Sequence, residues 1–214
     1  MLRLLAVSLA LAVPTAAAPA PDEIRIVLDR FDSVGGAVPA VLGAPVIAER
    51  AVRFDGVDDG LILPVNPLAG LAAFTIEVLL RPDTGGPEEQ RFLHVEDEAG
   101  ARALLELRVN PDGRWALDTF LRDGPRELPL VDRAKSHPIG VWHWVALRYD
   151  GRTLSHYVNG RFELEGPVAF RPMAPRGRYS LGVRLNRVSW FRGSIREVRF
   201  HHSALPIDRL QSQP

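Results

Sequence analysis

Val141 to Glu163 reads VWHWVALRYDGRTLSHYVNGRFE, and this stretch decides the fold. Val141–Tyr149 and Thr153–Val158 flank Asp150-Gly151. Val158 is followed by Asn159-Gly160 and then by Arg161–Leu164. Asp-Gly and Asn-Gly between apolar runs signal tight hairpins, because those residues tolerate the positive φ that two-residue turns require. Two hairpins in succession predict three antiparallel strands.

The same grammar continues in both directions. Ala103–Val109 and Arg114–Leu121 flank Asn110-Pro111-Asp112-Gly113, a further hairpin signal. Shorter runs are Glu23–Leu28, Val52–Phe54 before Asp55-Gly56, Gly60–Leu63 before Pro64, Phe74–Arg81, Arg91–Glu96, Tyr179–Leu185 and Ser194–His201. Ser33–Ala51 is rich in Gly, Pro and Ala and reads as an irregular crossover. A helical period is visible only weakly, at Leu205–Leu210. Short strands at this spacing predict an all-β chain, a sandwich or a barrel. Alternation assigns the faces. Phe74, Ile76, Val78 and Leu80 fall on one side of their strand; Leu181, Val183 and Leu185 do so on theirs. A strand apolar on one face packs in a two-layer sandwich and leaves its other face wet or functional.

Four segments resemble laminin-G-like domains of the concanavalin A-like lectin/glucanase superfamily. They are AVRFDGVDDGLILP (51–64), FTIEVLLRPD (74–83), the hairpin pair quoted above, and FRGSIREVRFHHSALP (191–206). The resemblance implies an all-β fold, a two-sheet antiparallel jelly-roll β-sandwich, with curved sheets and the first and last strands side by side. It does not imply a reaction, since one fold hosts lectins, adhesion modules, hydrolases and lyases.

Composition narrows the functional classes. Formal net charge is zero, with 26 basic and 26 acidic residues, so no net field favours nucleic acid. Cysteine is absent, which removes disulfides and thiolate chemistry. The basic residues are almost all arginine, Lys135 being the lone lysine. Codon bias explains that, and so does recognition of carboxylate or sulfate on a glycan. Residues 1–18 read as a signal peptide: Arg3, an apolar run from Leu4 to Val13 too short to span a bilayer, and small residues allowing cleavage after Ala18 or Ala20. Residues 19–214 are expected to form one exported domain, periplasmic or extracellular, with no transmembrane segment.

Candidate chemistry is sparse. The Glu-x-Asp-x-x-Glu pattern of the superfamily's retaining glycosidases is missing; His94-Val95-Glu96-Asp97-Glu98 is the nearest stretch. Predicted wet faces carry Glu77, His94, Glu106, Asp118, Arg184 and Asn186. If their strands are neighbours in the concave sheet, these groups converge on a groove, with Arg184 flanked by Glu77 or Glu106. The alternative is a set of cross-strand ion pairs that stabilise a sheet. Trp190, beside Phe191, is a candidate for stacking on a sugar or for anchoring the last strand. Asp55, Asp58 and Asp59 offer oxygen ligands suited to Ca2+, or simply form a turn. The leading expectation is a non-catalytic binding module for a glycan or an extracellular protein surface. A glycan-active hydrolase or lyase and a structural or adhesion domain are the alternatives.

Overall fold

The computed structural model describes residues 22–214; the expected signal peptide lies outside them. Two antiparallel sheets face each other. The first has eight strands. Its path runs β13 (Arg161–Pro167), β12 (Thr153–Val158), β11 (His143–Tyr149), β6 (Phe74–Pro82), β15 (Arg192–His201), β4 (Ala51–Asp55) and β3 (Val46–Ala48). The eighth strand, β1 (Glu23–Val27), also pairs with β15, so first and last strands are neighbours as the resemblance implies. The second sheet runs β10 (Arg126–Pro138), β9 (Arg114–Asp123), β8 (Arg102–Val109), β7 (Glu89–Asp97), β14 (Gly177–Leu181), β5 (Gly60–Leu63) and β2 (Ala40–Leu42).

Turn chemistry explains the hairpins. Asn159 and Gly160 both have positive φ, 51° and 71°, the conformation that joins β12 to β13 tightly. Asp150 Oδ1 accepts the N–H groups of Arg152 and Thr153 at 3.0 and 2.9 Å and fixes the turn between β11 and β12. The predicted inward face holds along Phe74–Leu80 and at Leu181, whereas Val183 and Leu185 are buried beyond the end of β14 and outside the core between the sheets. Phe74, Ile76, Val78 and Leu80 are fully buried, as is Leu181. With Trp115, Tyr149, Tyr179, Phe92, Phe191 and Phe200 they fill the space between the sheets. Polar links also join the two sheets: Thr119 Oγ1 on β9 and His156 Nδ1 on β12 lie 2.9 Å apart, and His137 Nε2 on β10 lies 2.7 Å from Glu163 Oε1 on β13.

Three features depart from the sequence expectation. Ser33–Ala51 contains the short strands β2 and β3, which supply sheet edges without alternation of their own. β10 is a 13-residue strand paired only with β9. Its Pro129 and dense charge mask it in sequence, and both are compatible with an edge, where one row of backbone groups needs no partner strand. The outer face of the eight-stranded sheet is not wet at its centre. The C-terminal segment crosses it, with a 3-10 turn at Ile207–Arg209 and Leu210 packed on Ala146 and Tyr157.

That cover corrects the reading of Glu77. It sits on β6, in the opposite sheet from the other candidates, and is 1% exposed. Its Oε2 lies 2.9 Å from His201 Nε2, and its Oε1 accepts the Gln211 N–H at 2.7 Å. Alternation showed Glu77 facing away from the core, but not that a distant segment closes over it.

Candidate functional site

The outer face of the seven-stranded sheet carries most of the remaining candidates. Antiparallel register sorts them into rows across β7, β8 and β9. Glu89 lies opposite Arg108. Arg91 lies opposite Glu106, which in turn faces Asp118. The next row is His94, Leu104 and Phe120, and the last is Glu96, Arg102 and Arg122. On β8 and β9 every second residue points to this face, and on β7 a register shift between Arg91 and Leu93 brings Arg91 and His94, three residues apart, onto it together.

The middle rows form a connected ion-pair network. Arg91 Nε donates to Glu106 Oε1 at 2.8 Å. Arg108 Nε donates to Asp118 Oδ2 at 2.7 Å, and its Nη2 to Glu106 Oε2 at 3.3 Å. Glu89 pairs with both arginines. Burial pushes the Glu106 and Asp118 carboxyls above their ordinary range, outweighing the pull of the arginines. Arg108 is held above its usual value because these anions outweigh its desolvation.

Arg184 reaches the same place from a loop. The run Ser180–Asn186 looks like a strand in sequence, but β14 ends at Leu181. Gly182 turns the chain with φ +77°, and a Cβ there would fall 2.3 Å from the Phe54 ring. Phe191 N–H donates to Gly182 O at 2.8 Å and closes the loop at its far end. Two further ties fix its position: Arg91 N–H to Ser189 O at 2.9 Å, and Leu185 N–H to His94 Nδ1 at 3.1 Å. The second tie makes His94 an acceptor at Nδ1, which places the ring proton on Nε2. Burial pushes the His94 imidazole below its ordinary value. His94 therefore positions the loop as a neutral ring.

The side chain of Arg184 lines a cleft of about 210 Å³ with Arg91, Arg102, Glu106, Asp118 and Phe120. Its guanidinium has no hydrogen-bond or ion-pair partner among the described residues. Burial, then Arg91 and Arg102, push it below arginine's usual value. Arg102 lies 5.7 Å from the Phe120 ring centre, and its buried Nε has no hydrogen-bond partner. A second cleft of about 620 Å³ lies on the same sheet, lined by Ala40, Ile62, Pro64, Glu96 and Arg178 among others.

The structure thus brings Glu106, Asp118 and Arg184 together and puts His94 beneath the loop. Asn186 is exposed at the loop's turn and Trp190 is half-exposed, both outside the lining of the cleft. Phe191 is the core anchor of the Trp-Phe pair, packed on Phe54 and Phe92. Arg91, Arg102, Arg108 and Phe120 are not among the site candidates drawn from the sequence. Their signal is their place on the polar face of strands already recognised.

Asp55, Asp58 and Asp59 do converge, each with a carboxylate oxygen within 4.8 Å of the others. Asp55 Oδ1 accepts backbone N–H groups from Val57, Asp58 and Asp59, at 2.8, 3.2 and 3.3 Å. Buried Asp59 accepts from Ala44 at 2.7 Å and from Asp55 at 3.0 Å. Burial pushes Asp59 up; at Asp55 the turn's N–H groups outweigh desolvation and hold the carboxyl below its usual range. The donor set is all hard oxygen, which fits Ca2+.

Comparison with known proteins gives a consistent picture. The sequence profile of a family described as the concanavalin A-like lectin/glucanases superfamily matches residues 55–210. No curated protein matches the chain. Among solved structures, domain 4 of AbnA, a GH43 extracellular arabinanase from Geobacillus stearothermophilus, was determined in complex with arabinotriose. It is 20% identical with a TM-score of 0.62, over 90% of this chain and 100% of that one. The botulinum neurotoxin serotype D binding domain is 12% identical with a TM-score of 0.64, over 87% of this chain and 50% of that one. The binding domain of botulinum neurotoxin DC, in complex with SialylT, is 12% identical with a TM-score of 0.62, over 87% and 49%. The chain spans about half the length of these two toxin domains. At such identities the likeness is one of fold.

Proposed function

We propose, from the premise that this chain belongs to the concanavalin A-like lectin/glucanase superfamily, that it is an exported, non-catalytic carbohydrate-binding module. The binding site is the outer face of the seven-stranded sheet. One observation carries the reading. Arg184, Arg102 and Phe120 line a cleft on the scale of one sugar ring, while its two carboxylates are already engaged by arginines. A glycosidase needs one carboxyl free to protonate the leaving group and another free to attack or activate water. Both Glu106 oxygens and Asp118 Oδ2 instead accept from Arg91 and Arg108. An aromatic ring and the unpaired guanidinium of Arg184 suit binding without bond breaking.

The arabinotriose complex of one solved neighbour and the SialylT complex of another favour carbohydrate over a protein surface. Asn186 and Trp190, on the loop that carries Arg184, extend the site as its rim. Ca2+ at Asp55, Asp58 and Asp59 would stiffen the turn between β4 and β5, away from the sugar cleft. Among the described residues no helix is long and apolar enough to cross a membrane.

A glycan array of neutral and acidic oligosaccharides tests the proposal, with Phe120→Ala as the control protein. Binding to a defined glycan set, weakened by Phe120→Ala at unchanged melting temperature, is the expected result. Absence of binding to any glycan, or full binding by Phe120→Ala, would remove the reading.

A further inference from the structure

We infer that the cleft selects acidic glycans, with the Arg184 guanidinium as the fork that receives a sugar carboxylate or sulfate. The inference rests on the carbohydrate reading above and adds the class of sugar.

Charge bookkeeping around the cleft is uneven. Arg91, Arg102, Arg108 and Arg184 line it, against Glu106 and Asp118. The two carboxylates are taken by Arg91 and Arg108, and Glu89 adds a third anion to those same two arginines. Arg102 has only Glu96, at 3.7 Å, beyond hydrogen-bond reach. Arg184 forms no ion pair among the described residues, and Glu106 and Glu96 act on it only through space.

An unpaired, partly buried guanidinium beside two like charges is costly, and side chains free to do so would swing apart into water. The backbone prevents full escape. Gly182 O, Ser189 O and His94 Nδ1 pin the loop that carries Arg184. A loop already pinned loses little further backbone freedom when a ligand arrives, which lowers the entropic cost of the hydrogen bonds its arginine makes. The guanidinium fork matches the two oxygens of a carboxylate or sulfate. Phe120, half-exposed beneath Arg102, offers an apolar surface for the C–H side of the same ring.

Three trisaccharide-sized probes separate the possibilities by calorimetry: trigalacturonate, which carries carboxylates only; a sulfated galactan oligosaccharide, which carries sulfates only; and neutral galactotriose. Expected is at least tenfold tighter binding of one anionic probe than of galactotriose, weakening with added salt. The tighter of the two anionic probes identifies the group preferred. Arg184→Ala should erase the preference, and Arg184→Lys should keep part of it, since an ammonium retains charge but not the fork. Galactotriose bound as tightly as both anionic probes, or an undiminished preference in folded Arg184→Ala, would overturn the inference and leave the carbohydrate reading standing. Failure of all three probes, together with an empty neutral and acidic glycan array, would overturn both.

Discussion

Glu106 on β8 and Asp118 on β9 face each other directly across the sheet, two buried acids in one register row. Like charges so placed repel. Arg108 spans them, donating to Asp118 at 2.7 Å and to Glu106 at 3.3 Å.

Removing that bridge is expected to be costly. Arg108→Met should destabilise the fold by about 3 kcal/mol at neutral pH, because two buried carboxylates lose their shared cation. Both carboxyls already titrate above their ordinary range through burial. For a group raised in the folded state, stability is fully present below the unfolded value and is lost as pH rises through the folded one. The deficit of the variant should therefore shrink on acidification. Urea unfolding of both proteins across the acid range checks it, and a pH-independent deficit would reject the account.

Acid should act in the opposite sense through the buried histidines. Burial pushes His156 down to about 3, and it lowers His94 and His143 as well. A depressed folded value means stability that is present above the unfolded value near 6.5 and is lost as pH falls. His156 alone is expected to cost about 1.4 kcal/mol between about pH 7.5 and 5.5. His156→Gln should flatten the pH dependence of unfolding by one such step. An unchanged slope would show that His156 is not buried neutral.

The C-terminal cover over β11 and β12 is expected to contribute to stability. Leu210→Ala removes the apolar contact on Ala146 and Tyr157. The cost should be about 2 kcal/mol, at the low end for Leu→Ala because the site lies at a surface that can relax. It should loosen the segment that supplies the Gln211 N–H to Glu77. Faster amide exchange at Gln211 and Leu205 than in the core strands would register this; equal protection would contradict it.

Calcium is expected to raise the melting temperature. A ligand that binds only the folded state stabilises it by about 2.7 kcal/mol at a hundredfold excess over its dissociation constant. Asp58→Asn should remove most of the shift, since the Asp58 carboxylate joins the cluster while its neighbours already accept N–H groups. A thermal scan with calcium and with chelator decides it, and identical curves would leave the aspartates as a turn.

Much of the sandwich was readable from local signals. Asn159-Gly160 and Asp150-Gly151 specify turns that only certain residues make, and the period of two in Phe74–Arg81 specifies which face is inward. The strand β10 was not readable, because an edge tolerates the proline and the charges that argue against a strand. Half of the candidate site was visible as polar positions, but not which of them meet.

The residue order by itself determined the strand class, the hairpins, the inward faces and the superfamily, because turns and pleats depend on neighbours a few residues apart. Tertiary structure alone decided which sheet each polar face joins. It placed Glu77 under the C-terminal segment and brought Arg184 against Arg91, Glu106 and Asp118. Those pairings depend on strand order and on a loop turned by Gly182 against Phe54, contacts between residues far apart in the chain that no local pattern encodes.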